Sequence, residues 1–66
     1  MAPRLGTVIK ALRKAKGLSQ VQLAKRARIA QPYLVRLESG ERKNPSLATL
    51  KRLAKALGVP VAELLE

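Results

Sequence analysis

The sequence predicts an all-α domain, a compact bundle of about five short helices. Three observations lead there. Between successive glycines and prolines the apolar residues recur at helical spacing. No stretch alternates apolar and polar residues in the manner of a strand. The chain is 66 residues long, enough for one small domain, and a domain of that size buries only ~60% of the surface its unfolded chain exposes. It contains no cysteine and no histidine, so neither disulfides nor the usual zinc ligand sets brace it. Tyr33 is the only aromatic, so the core is built from Leu, Ile, Val and Ala.

The elements follow in order. Leu5, Val8, Ile9 and Leu12 mark one face of a first helix. Gly17 stops it, after Lys14 and Lys16 have placed cations near its C-terminal carbonyls. Ser19 is a natural N-cap for a second helix through about Ala27, which buries Leu23, Ala24 and Ala27. A break at Arg28-Ile29-Ala30 precedes a third helix that opens on Gln31-Pro32, runs to Ser39 and ends at Gly40. The polar segment GERKNPS is a loop. Ser46 caps a fourth helix with Leu47, Leu50, Leu53, Ala54 and Leu57 on its core face, closed by Gly58. Pro60 suits the first turn of a last short helix, docked by Val61, Leu64 and Leu65.

Charge points to the partner. Fourteen Lys and Arg against four Glu and no Asp give a formal charge of +10. That favours a polyanionic partner, nucleic acid first and an anionic membrane surface second, although solubility alone is the plainer explanation. No apolar run approaches the ~18 residues of a membrane span, and the N-terminus lacks the apolar stretch of a signal peptide. The expected location is therefore cytoplasmic.

The break before Gln31 is the most informative feature. At 100° per residue, Tyr33, Leu34 and Leu37 share the core side of the third helix. Gln31, Pro32, Val35, Arg36 and Ser39 share the opposite side, with no acidic residue among them. These types match base-pair edges in a major groove: Arg forks onto guanine, Gln pairs with adenine, and an apolar side chain meets a thymine methyl. Pro32 is tolerated because the second helical position has an N–H with no partner to lose. The short break re-aims the chain as a helix-turn-helix does, with Ile29 tucked under the turn. A solvated helix pair with one exposed valine is the structural alternative.

The stretch LSQVQLAKRARIAQPYLVRLESG, Leu18 to Gly40, resembles the helix-turn-helix family of phage repressors, Cro proteins and small XRE-type bacterial regulators. Gln20, Ala24, Ala27, Ile29, Leu34 and Leu37 fall on the family's spacing. Leu37-Glu38-Ser39-Gly40 matches its closing motif, and NPSLATLKRLAKALGV is similar to its fourth helix. The resemblance implies that residues 1–66 form one lambda-repressor-like DNA-binding domain, with the helix-turn-helix at about 19–39.

It further implies roles. Gln20 clamps a phosphate, and Gln31, Pro32, Val35 and Arg36 read bases. Tyr33, Arg42, Lys43 and Asn44 follow the DNA backbone, and Arg13 pairs with Glu38 as a structural ion pair. Two residues depart from the pattern. Arg28 stands at the turn position usually held by Gly, and Ala30 at a cap position that is often Ser or Thr.

The function expected is a sequence-specific regulator of transcription on double-stranded DNA, usually a repressor. It reads a palindrome as a homodimer with half-sites about 34 Å apart. Val59, Val61 and Leu65 are the candidate dimer surface. Controller proteins of restriction–modification systems and antitoxins share the fold, and the residues do not separate them. A cationic membrane-surface helix, suggested by Lys10, Lys14 and the apolar face of the first helix, is the reading from another class. One tyrosine makes a poor stacking platform for single strands. Without His, Cys or Asp no catalytic or metal constellation is expected, nor any cofactor. The chain reads as a minimal regulator or as part of a longer one.

Overall fold

A computed structural model describes residues 5–65. Within them lie α1 (Leu5–Ala15), α2 (Gln20–Ala27), α3 (Gln31–Ser39), α4 (Leu47–Leu57) and α5 (Val61–Leu64). Every regular element is helical among the described residues. α1 packs on α3, α2 on both α3 and α4, and α5 closes the end of the bundle against α4 and α1. Ile9, Leu23, Leu34, Leu37, Leu53, Leu57 and Leu64 are almost wholly buried and draw all five helices onto one core. Each such side chain contributes about 1.5–3 kcal/mol by leaving water.

Local chemistry sets the helix ends. The Ser19 hydroxyl accepts from the Gln22 backbone N–H at 3.0 Å, and the Ser19 N–H donates to Gln22 Oε1 at 2.8 Å. This reciprocal pair fixes where α2 begins. Three C-termini share one bond: Leu18 N–H reaches Arg13 O, Ile29 N–H reaches Ala24 O, and Val59 N–H reaches Ala54 O, all at 3.0–3.1 Å. In each the residue before the donor is left-handed and the donor is an apolar residue that folds back on the bundle. Gly17 and Gly58 fill two of those left-handed positions; Arg28, at φ 59° and ψ 44°, fills the third. A side chain there costs about 1–2 kcal/mol relative to glycine.

Three sequence expectations shift. Leu47, assigned to the core face of α4, is 58% exposed. It opens the helix and lies at the edge of the apolar stripe, so Thr49 is buried there instead, its hydroxyl 3.0 Å from that of Ser46. Leu65, expected to dock α5, is 59% exposed, because the helix ends at Leu64 and it is Leu64 and, in part, Val61 that pack on the core. Pro60 sits one place earlier than expected, as the N-cap of α5, where its extended ψ of 150° precedes the first turn.

Candidate nucleic-acid interface

The packing of α3 decides which of its faces is free. Leu34 and Leu37 are sealed in the core and Tyr33 is half-buried. Gln31, Pro32, Val35, Arg36 and Ser39 are all exposed along the other side. The helix opens without a side-chain cap, since Ala30 has no oxygen to offer. Pro32 has no N–H, so the N–H groups of Gln31 and Tyr33 in the first turn are left without a side-chain cap at the positive end of the helix dipole.

Behind this face stands a charged network. Arg13, though a guanidinium, is buried: Nε and Nη2 donate to the two carboxylate oxygens of Glu38 at 2.7 and 3.0 Å, and Nη1 donates to the Leu18 carbonyl at 2.8 Å. Glu38 Oε1 also accepts from Gln20 Nε2 at 3.0 Å. One carboxylate thus joins α1, the start of α2 and the end of α3. With two oxygens and four lone-pair sites, it accommodates all three donors. Gln20, expected to clamp a phosphate, has one amide hydrogen committed to Glu38. Its backbone N–H, in the first turn of α2, lacks an intrahelical partner.

The loop after α3 is ordered on the same side. Arg42 donates its backbone N–H to Arg36 O at 3.0 Å, and its guanidinium lies 5.4 Å from the centroid of the Tyr33 ring. That stacking gives Tyr33 a neighbour at the interface as well as in the core. Ser39 Oγ donates to Arg36 O at 3.1 Å and accepts from the Glu41 N–H at 3.3 Å. Lys43 and Asn44 are exposed. Glu41, expected only to lie in the loop, brings a carboxylate oxygen within 3.9 Å of Arg36 Nε, both side chains more than half exposed. So wet a pair contributes ~0–1 kcal/mol and opens easily.

An exposed, acid-free face on the third helix of a five-helix bundle, with a basic loop beside it, is a known arrangement. A family model described as helix-turn-helix matches residues 9–64. The chain belongs to the helix-turn-helix family of phage repressor and Cro-like regulators. This helix-turn-helix chain is similar to the immunity repressor protein of Bacillus phage phi105, with 48% identity over 58 residues. The match covers 88% of the chain and 40% of that repressor, so the chain spans less than half of the phage protein's length. It resembles the crystal structure of SinR, the master regulator for biofilm formation, in complex with DNA, at a TM-score of 0.91 and 39% identity, over 94% of this chain and 98% of that one. It is also similar to the restriction–modification controller protein C.AhdI from Aeromonas hydrophila, at a TM-score of 0.88 and 39% identity, over 94% and 92% of the two chains.

The helix-turn-helix domain brings Gln31, Pro32, Val35 and Arg36 together on one surface, with Arg42 adjoining through its bond to Arg36 O. Val59 and Val61, named for a dimer surface, are half-buried against the core, whereas Leu65 is freely exposed. Among the described residues no group of His, Cys, Asp or Glu is arranged to hold a metal ion, and no helix is long and apolar enough to cross a membrane.

Proposed function

We propose that this chain binds double-stranded DNA at a specific sequence and regulates transcription, as a repressor at a palindromic operator read by two copies. The observation that carries the proposal is the outer face of α3. Gln31, Val35 and Arg36 are exposed together on a helix whose opposite side is locked into the core, so the face is presented rigidly. Exposed lysines and arginines supply affinity through release of counterions from the duplex, and Gln31 and Arg36 supply sequence preference through base edges. Gln20, Tyr33, Arg42, Lys43 and Asn44 hold the flanking phosphates. A cytoplasmic setting, where the duplex is found, follows from this role, and the role needs no catalysis.

Selection of bound sites from random duplex DNA tests the proposal. Two inverted half-sites about one helical turn apart are expected, as a dimer dictates. A pool with no enriched sequence, or a motif unchanged by substitution of both Gln31 and Arg36, rules out the base-reading assignment. The likeness to a restriction–modification controller favours one second reading: the recovered sites would then lie upstream of restriction and methylation genes.

A further inference from the structure

A second basic surface lies on another part of the bundle. Arg26 on α2, Arg28 in the turn, and Arg52 and Lys55 on α4 line an open cleft of about 380 Å³, with Ala56 at its wall. We propose that this cleft is a phosphate-binding site that takes two adjacent phosphate groups, separate from the α3 face.

Four cations share one concavity, and the ion pairs among the described residues, Arg13–Glu38 and Arg36–Glu41, involve none of them. Like charges around a concave surface reinforce one another's potential and raise the local concentration of anions. The C-terminus of α2 accounts for part of the cluster, since cations are favourable near its carbonyls. It does not account for all four. Arg52 Nε donates to Ala27 O at 3.1 Å, so a guanidinium already meets that end of the helix.

The same bond orients Arg52. Held through Nε, it makes no hydrogen bond through its two terminal nitrogens among the described residues, and these can fork onto phosphate oxygens, a match that a planar guanidinium makes and an ammonium does not. Arg28 supplies the second observation. It is the sole non-glycine residue with a positive φ among the described residues, at a place where glycine would relieve the backbone. Its side chain lines the cleft. A single phosphodiester would answer one of the four positive charges and two successive phosphodiesters half of them, whereas a free diphosphate would nearly neutralise the cluster.

Inorganic tripolyphosphate is the probe. Titrated into the intact chain and followed by amide NMR, it is expected to shift residues 26–28 and 52–56 saturably, and the outer face of α3 much less. Arg26→Gln with Lys55→Gln, both at exposed sites, should weaken binding about tenfold, given the strength of charge-assisted bonds. Lys10→Gln with Lys14→Gln removes equal charge from α1 and should change it less than about twofold, since both are exposed, neither lines the cleft, and exposed charges out of direct contact are screened. Equal losses from the two pairs, or shifts spread evenly over the surface, overturn the site. Duplexes of two lengths then identify the source of the phosphates. If they belong to flanking DNA, Arg26→Gln with Lys55→Gln weakens the longer duplex alone. If a free polyphosphate is the ligand, neither duplex responds while tripolyphosphate binding is still lost. The tripolyphosphate titration needs no operator, so its failure leaves the α3 assignment standing, and failure of that assignment leaves the cleft.

Discussion

Arg13 and Glu38, separated by 25 residues in sequence, meet in a two-point ion pair, Nε on Oε2 at 2.7 Å and Nη2 on Oε1 at 3.0 Å. Their side chains are only 10% and 4% exposed. Breaking such a pair by removing one partner leaves an uncompensated buried charge, which costs far more than the pair itself contributes. Glu38→Gln keeps the shape and loses the charge, and Arg13 retains only the Leu18 carbonyl as a full partner. The expected loss is about 2–4 kcal/mol. In a domain of this size each 1 kcal/mol lowers Tm by about 4–8 °C. A thermal melt unchanged by Glu38→Gln would refute the structural role.

Gly6 predicts a reversal of an ordinary rule. Glycine to alanine inside a helix normally stabilises by about 0.5–1 kcal/mol. A β-carbon on Gly6 would overlap the Leu37 carbonyl oxygen and come within 2.8 Å of that of Glu38, backbone atoms of α3 that cannot step aside. Gly6→Ala should therefore destabilise by about 1–3 kcal/mol through forced separation of α1 and α3. It should also disturb the Arg13–Glu38 pair next to the contact. Gly17→Ala is the comparison: it meets no atom within 4 Å and bears only the left-handed backbone penalty of about 1 kcal/mol. Denaturant midpoints of the two variants check the order.

The turn makes opposite predictions for stability and binding. Arg28→Gly relieves a left-handed side chain and should stabilise by about 0.5–1 kcal/mol after glycine's greater unfolded-state freedom is allowed for. Ala30→Ser gives α3 the cap it lacks, worth about 1 kcal/mol. Chemical denaturation measures both. If Arg28 binds phosphate in its cleft, the stabilised Arg28→Gly variant loses tripolyphosphate affinity while Ala30→Ser keeps it.

Much of this architecture can be read from the residues, and what cannot has a physical reason. Helix ends are local events, so Ser19, Gly17, Gly40, Ser46 and Gly58 announce them within a few residues. The apolar period likewise identifies the buried side of α3, and hence its free side. Leu47 and Leu65 mislead because periodicity cannot tell where a bundle stops covering a helix end. Gly6 carried a usable signal, a glycine inside an otherwise regular helix, but its meaning depends on α3 lying against it. Gln20 bonding to Glu38, Arg42 stacking on Tyr33 and the cleft at Arg28 and Arg52 join residues far apart in sequence. No spacing rule encodes such meetings.

At the α3 face two substitutions should separate sequence reading from charge. Arg36→Ala is expected to cost about 1–3 kcal/mol on the selected operator and to relax preference at one base pair. Lys43→Ala should weaken operator and random DNA alike and reduce the salt dependence of binding by about 1 in logarithmic slope. Affinities on both DNAs over a salt series decide it. Equal losses on both for Arg36→Ala would remove that residue from the base-reading set.

Glu41 supplies the sharpest charge test, because it stands within 3.9 Å of Arg36 Nε on a surface assigned to a polyanion. The pair is too wet to hold the fold, so Glu41→Gln should leave the melting temperature within the range of about ±0.5 kcal/mol typical of surface changes. On DNA the variant removes a carboxylate that repels phosphates and competes for the guanidinium. It should tighten binding several-fold, about 1 kcal/mol, and most at low salt, where exposed charges are least screened. The α3 face is thereby distinguished from the rest of this basic molecule. Glu63 carries the same charge on α5, which packs on α4 and α1, and Glu63→Gln should change affinity by less. If both substitutions strengthen DNA binding equally at every salt concentration, the duplex responds only to net charge and the α3 face has no special claim on it.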